Sequence, residues 1–184
     1  MLWPIERSDE ILAWYRDFIG AQPDELGGFF AFLSVPPAPP FPEELWLKQC
    51  CGVIWCSTAG TEETASLLAP ARALDPIFDG MMDVPFPAAQ SAFDPLLGPG
   101  NQWYWRADFV DEISDAAIAA HTEHASAMPT WMSTMHLYPI DGAASRVTDD
   151  ATAWAYRDAK WAMVIAGIDP DPALADTLRD WTVG

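Results

Sequence analysis

Asn101–Ala120 reads NQWYWRADFVDEISDAAIAA, a strand of large aromatics that runs into an acidic turn and then a helix. Trp103, Trp105, Ala107 and Phe109 alternate with Tyr104, Arg106 and Asp108. That period of two predicts a strand whose two faces meet different surroundings, one apolar and one polar. Ser114 stands where it can cap the following helix, with Asp115 in the first turn, where the helix dipole favours an anion.

The same strand and helix periods recur along the chain. Met1–Ile5 reads as an edge strand because of Pro4. Ser8 is predicted to cap a helix that buries Ile11, Leu12, Tyr15, Phe18 and Ile19 and stops at Gly20. Gly27–Val35 and Lys48–Ser57 are further strands, separated by Pro36–Pro42, a stiff segment that cannot pair inside a sheet. Thr61 is predicted to cap a helix ending near Pro70, and a short helix is expected around Ala88–Phe93. Thr130–Ile140 places Trp131, Ser133, Met135 and Leu137 opposite Met132, Thr134, His136 and Tyr138. Asp141-Gly142 is a turn signal that predicts Ala143–Val147 as a returning hairpin partner. Asp149-Asp150 reads as a charged loop, Trp161–Ile168 as an interior strand, and Asp171-Pro172 as the start of a last helix burying Leu174, Leu178 and Trp181. Two-faced strands with interspersed helices make this an α+β chain: a largely antiparallel β-sheet with helices packed on one face. Tyr104, Arg106, His136 and Tyr138 are expected on the other face, a candidate ligand or partner surface.

Length and composition bound the function. A chain of 184 residues can bury a core as one domain over residues 1–184, removing roughly 70% of its unfolded surface from water. Nine basic residues against 27 acidic ones give a formal charge of −18, so there is no basic footprint for nucleic acid or for an anionic membrane surface. No run approaches the length of a membrane span, and MLWPIERSDE turns charged too early for a signal peptide, so a cytoplasmic location is expected. Cys50, Cys51 and Cys56 lack zinc or redox spacing and read as buried thiols.

Local chemistry shows no catalytic centre. There is no phosphate-binding glycine loop and no GxSxG nucleophile turn. His121-Thr-Glu-His124 lacks the spacing of a metal-binding helix and reads as a solvent-facing turn, so no metal is expected. Trp103, Trp105, Trp131 and Trp161 are expected in the core.

Four stretches carry a family resemblance. Ala21–Leu45 (AQPDELGGFFAFLSVPPAPPFPEEL) and Leu67–Asp94 (LLAPARALDPIFDGMMDVPFPAAQSAFD) resemble two segments of bacterial berberine-bridge-enzyme-like FAD-linked oxidases. NQWYWRADFVDEISDAAI resembles their Asn-Tyr-Trp-Lys-Ser-Asp-Phe stretch with its capped helix, and His136–Trp161 (HLYPIDGAASRVTDDATAWAYRDAKW) resembles their Gly-Gly, Arg-Val, Ala-Thr-Ala-Phe and His-Arg-Asp-Ala-Pro-Tyr series. Asp141-Gly142 stands in place of Gly-Gly, Ala107 in place of a serine, and Tyr156 in place of the histidine of the His-Arg pair.

The resemblance implies a substrate-binding domain whose antiparallel sheet carries helices outside and roofs a flavin inside. It implies substrate contacts at Tyr104, Arg106, His136, Tyr138 and Ser145, none of them a catalytic base. The family's flavin-attachment motifs are not found in these residues. FAD is therefore expected only in the parent architecture and is not expected to be retained by this chain alone. The implied partners are an FAD-binding domain, in cis or as a separate chain, and a small-molecule substrate. The alternative expectation is a non-catalytic ligand-binding or self-associating module, with a homo-oligomer covering the open sheet face.

Overall fold

The two periods of the sequence resolve, in a computed structural model that describes residues 1–96, 98–148 and 150–184, into one six-stranded antiparallel sheet with a helical layer. The strands are β1 (Leu2–Pro4), β2 (Leu26–Ser34), β3 (Gln49–Ser57), β4 (Gln102–Val110), β5 (Thr134–Pro139) and β6 (Trp161–Asp169). The helices are α1 (Ser8–Ile19), α2 (Thr61–Leu67), α3 (Ala69–Arg72), α4 (Phe86–Gln90), α5 (Asp115–Ser126), α6 (Gly142–Ser145) and α7 (Ala175–Val183). Asp149, half of the predicted charged loop, lies outside the described residues. No helix among the described residues is long and apolar enough to cross a membrane.

The spatial order is β1-β3-β2-β5-β6-β4, so β1 is the edge strand that Pro4 predicts and β6 is interior. Residues directly opposite in an antiparallel ladder share a face. Phe30 lies opposite Val53 and Leu137, and Phe32 opposite Cys51 and Met135. These residues, with Trp161, form one buried cluster with Ile11, Leu12, Tyr15 and Ile19 of α1 and Ile118 and Ala125 of α5. The helical stripe of α1 thus meets the strand-period face of the sheet. Tyr15 satisfies its phenol within this core by donating to the Gly28 carbonyl at 2.8 Å. The last helix, α7, packs on the same face at the β4–β6 end. There Gly167 lets it approach: a Cβ would sit 2.9 Å from the Leu178 carbonyl oxygen and 3.0 Å from Thr182 Oγ1.

Ser114 caps α5 as predicted, its Oγ accepting from the Ala117 amide at 3.2 Å. Other boundaries differ for local reasons. A short 3-10 turn, Ile5–Arg7, runs straight into α1, so Ser8 is already helical and its hydroxyl donates to the Ile5 carbonyl at 2.7 Å. Gly60, not Thr61, precedes α2. The helix expected at Ala88–Phe93 starts earlier, at Phe86, where Pro87 fits a first turn. Asp171 caps a 3-10 turn, Pro172–Leu174, that leads into α7. The predicted hairpin over Ala143–Val147 does not form. Both edges of β5 are already paired, one with β2 and one with β6, so no ladder remains open to it. Gly142 instead takes φ +53 and starts the single turn of α6. Cys50 and Cys51 are buried, whereas Cys56 is exposed.

Candidate functional site

The helices leave the opposite face of the sheet to be explained. Ladder parity defines it: Thr134, His136 and Tyr138 lie opposite Ala166, Val164 and Ala162, which lie opposite Trp105, Ala107 and Phe109. On the other side His136 faces Ala31, which faces Gly52. Phe29 and Ile54 complete the row. No Asp, Glu, Lys or Arg of these strands shares that parity.

This geometry corrects one expectation from the sequence. Tyr104 faces Gly167, and Arg106 faces Ile165, which faces the core residue Met135. Tyr104 and Arg106 therefore belong to the helix side, not to the face of His136 and Tyr138. Tyr104 is half-buried beside α7, whose Thr182 hydroxyl lies 3.4 Å from the Tyr104 carbonyl oxygen, and Arg106 on the same edge strand stays exposed 5.8 Å above the Tyr104 ring. The aromatic row expected in the core sits instead on the uncovered face, and Trp105 is 58% exposed there. Of the four tryptophans expected in the core, Trp161 is buried and Trp131 is exposed. Ser145 lies off the sheet, in α6, where its hydroxyl donates to the Gly142 carbonyl at 3.0 Å. The structure thus unites His136 with Tyr138 and separates both from Tyr104, Arg106 and Ser145.

At the centre of the uncovered face, three side chains on β5 are linked. His136 Nδ1 lies 2.6 Å from the Tyr138 hydroxyl, and its Nε2 lies 2.9 Å from Thr134 Oγ1. Thr134 Oγ1 donates to the Phe32 carbonyl of β2 at 2.8 Å. Phe29 flanks the pair, stacked on Tyr138 at 4.7 Å and tilted against His136 at 5.1 Å. Burial among apolar neighbours pushes the His136 pKa down to about 4 and raises that of Tyr138, so both are neutral near pH 7. Thr134 shares the strand parity of His136 and was legible on that ground. Phe29 was not, because β2 is apolar on both faces.

The two ends of this face are closed by loops. Phe41, Leu45, Trp46 and Phe78 pack with Leu2, Leu33 and Cys50 at the β1–β3 end. At the β4 end Tyr156 stacks on Phe109 at 4.3 Å. Arg157 fixes that segment: it is buried, lies 4.9 Å over Trp154 and donates to the Ala144 carbonyl at 2.9 Å. The floor between the two loops stays open.

No group of three or more residues able to hold a metal ion occurs among the described residues. His121 and His124 do not face solvent as read from sequence. Both are half-buried: His121 Nδ1 donates to the Ala117 carbonyl at 2.7 Å, and His124 stacks on Trp181 of α7 at 5.0 Å.

No protein-family model matches the sequence, and no curated protein matches it. Solved structures do match in fold. BBE-like #28 from Arabidopsis thaliana is similar with a TM-score of 0.76 at 13% identity, covering 97% of this chain and 39% of that one. Berberine bridge enzyme from Eschscholzia californica is similar with a TM-score of 0.75 at 12% identity, covering 100% of this chain and 38% of the other. Phl p 4, a grass pollen allergen with glucose dehydrogenase activity, gives a TM-score of 0.66 at 11% identity, again with 100% and 38% covered. This chain therefore has the fold of a part, about two fifths by length, of berberine bridge enzyme and BBE-like proteins.

Proposed function

We propose that this chain is the substrate side of an FAD-dependent oxidoreductase of the berberine-bridge-enzyme-like type, and that it is not catalytic alone. The observation that carries the reading is the uncovered sheet face. It is aromatic, presents no charged side chain from its strands and is centred on a neutral His136–Tyr138 pair, in a fold whose solved counterparts are much longer chains. A face of that composition is a surface for a flat apolar body and a small ligand.

The fit to FAD is partial, which supports assigning the cofactor to another half. The ring of a flavin suits a floor of Phe29, Ala107, Trp105 and Val164. The pyrophosphate does not, since the strands present no Lys or Arg on this face and no glycine-rich helix start opens onto it among the described residues. An FAD-binding domain, in cis or as a separate chain, is accordingly the partner proposed, and retention of FAD by this chain alone is not expected. When bound, the flavin supplies the acceptor for two electrons from a substrate C–H bond. The residues of this chain orient that substrate and exclude water. Tyr138, held by His136, is the polar contact, Phe29 and Trp105 are apolar walls, and the loop bearing Tyr156 shuts one end.

The DNA flanking the native reading frame tests this reading. It is expected to encode an FAD-binding half, either in the same frame or in a neighbouring gene. Stop codons close on both sides with no such half nearby would contradict it. A self-associating module would then account for the open face, and the mass in solution would rise with concentration.

A further inference from the structure

The hydrogens of the β5 triad can be placed from heavy-atom geometry. A hydroxyl carries one hydrogen, a carbonyl carries none, and a neutral imidazole has one N–H. Thr134 Oγ1 lies 2.8 Å from the Phe32 carbonyl oxygen. With no hydrogen between them, two oxygens at that distance would set lone pair against lone pair, so the Thr134 hydrogen lies on that line. It is then not available to His136, 2.9 Å away on the other side. His136 Nε2 must supply the hydrogen of that contact, which leaves Nδ1 as a bare lone pair. The Tyr138 hydroxyl, 2.6 Å from Nδ1, is the donor there. A second proton on the ring would reverse this last bond. Burial on a face without a carboxylate disfavours it, and the His136 pKa is held down to about 4.

The chain of bonds therefore runs one way: Tyr138 to His136, His136 to Thr134, Thr134 to the backbone of β2. Its end on the open face is the Tyr138 oxygen, whose only hydrogen is already committed. Tyr138 is half-buried and flanked by Phe29, so the oxygen stands at the edge of an apolar aromatic floor. A group that can only accept meets a lone pair there, and a charged group meets no Asp, Glu, Lys or Arg from the strands on that face.

We propose that Tyr138 selects the ligand of this face by accepting a hydrogen bond, so that the site takes a neutral ligand presenting an O–H or N–H, and that His136 is the positioning residue that fixes this polarity. The proposal rests on the reading of this face as the substrate side. It deepens that reading by excluding carboxylates, phosphates and ligands whose polar atoms are all ethers or carbonyls.

The polarity can be read without any ligand. In protein labelled with nitrogen-15 histidine, long-range proton–nitrogen correlation at neutral pH is expected to show His136 protonated at Nε2 and bare at Nδ1. Thr134→Val should release that preference. Finding the proton on Nδ1 in the unsubstituted protein would overturn the proposal, because Tyr138 would then present its own O–H. A matched pair of probes tests the selection: p-cresol, and 4-methylanisole, which has the same ring without the O–H. Followed by the Tyr138 and Trp105 resonances, p-cresol is expected to bind about five- to tenfold more tightly, the worth of one neutral hydrogen bond. The ratio should fall to near one in Tyr138→Phe. Equal affinities for the unsubstituted protein, or no binding of either probe, would overturn it. Neither readout involves flavin, so failure here and failure of the oxidoreductase reading are separate results.

Discussion

His136 and Tyr138 show how far a single residue can be read from sequence. Their alternation with the core residues Met135 and Leu137 placed them on the open face correctly, because β5 carries a clear apolar row. Their hydrogen bonds were not legible, since the i, i+2 contact to Thr134 depends on side-chain rotamers, which the alternation of residues does not specify. A pH dependence follows from the burial of His136. In the unfolded chain a histidine takes up its proton near its ordinary pKa of 6.5, but in the folded state only near 4. The unfolded state therefore binds more protons between those values. The contribution of His136 is at its full value above about 6.5 and declines as pH falls toward 4, by up to about 3 kcal/mol. Urea midpoints between pH 7.5 and 5, above the isoelectric point near 4.1, should drop less steeply in His136→Gln. Parallel slopes for the two proteins would show that His136 is solvated.

At the scale of elements, β4 is where sequence and structure part. Its alternation marks a strand, but the period says only that two faces differ, not which one meets the helices. Trp103, Trp105, Ala107 and Phe109 are the more apolar row, and burial was the natural expectation. The deciding information sits in the ladder with β6, which is apolar on both faces and so could not be phased from its own residues. Substitution separates the two assignments. Phe32→Ala, at 0% exposure on the helix side, should cost about 3–5 kcal/mol in urea unfolding. Trp105→Ala, on the open face, should cost no more than about 0.5 kcal/mol. A large loss at Trp105 would mean that the β4 ladder is shifted by one residue. The hairpin expected after Asp141-Gly142 failed for a related reason. Turn chemistry resides in local residues, while the edges of β5 are taken by β2 and β6, strands distant in sequence.

For the whole molecule, the fold class was legible because the same two-faced pattern recurs in several segments and leaves one helical layer as the simple arrangement. The resemblance to FAD-linked oxidases agrees with the solved structures in fold, and the chain spans 39% or less of the three compared. What covers the second face was not legible, because no charged or motif-bearing residue on that face names a partner. The formal charge of −18 opposes loose self-association, which favours a specific partner over a second copy. The most direct measurement is the visible absorption spectrum of the protein isolated intact from its own cells under non-denaturing conditions, against that of the chain produced alone. Flavin bands are expected in the native isolate, in a species larger than 184 residues, and none in the isolated chain. A colourless native protein of 184 residues, or stoichiometric flavin held by the chain alone, would contradict the proposed function.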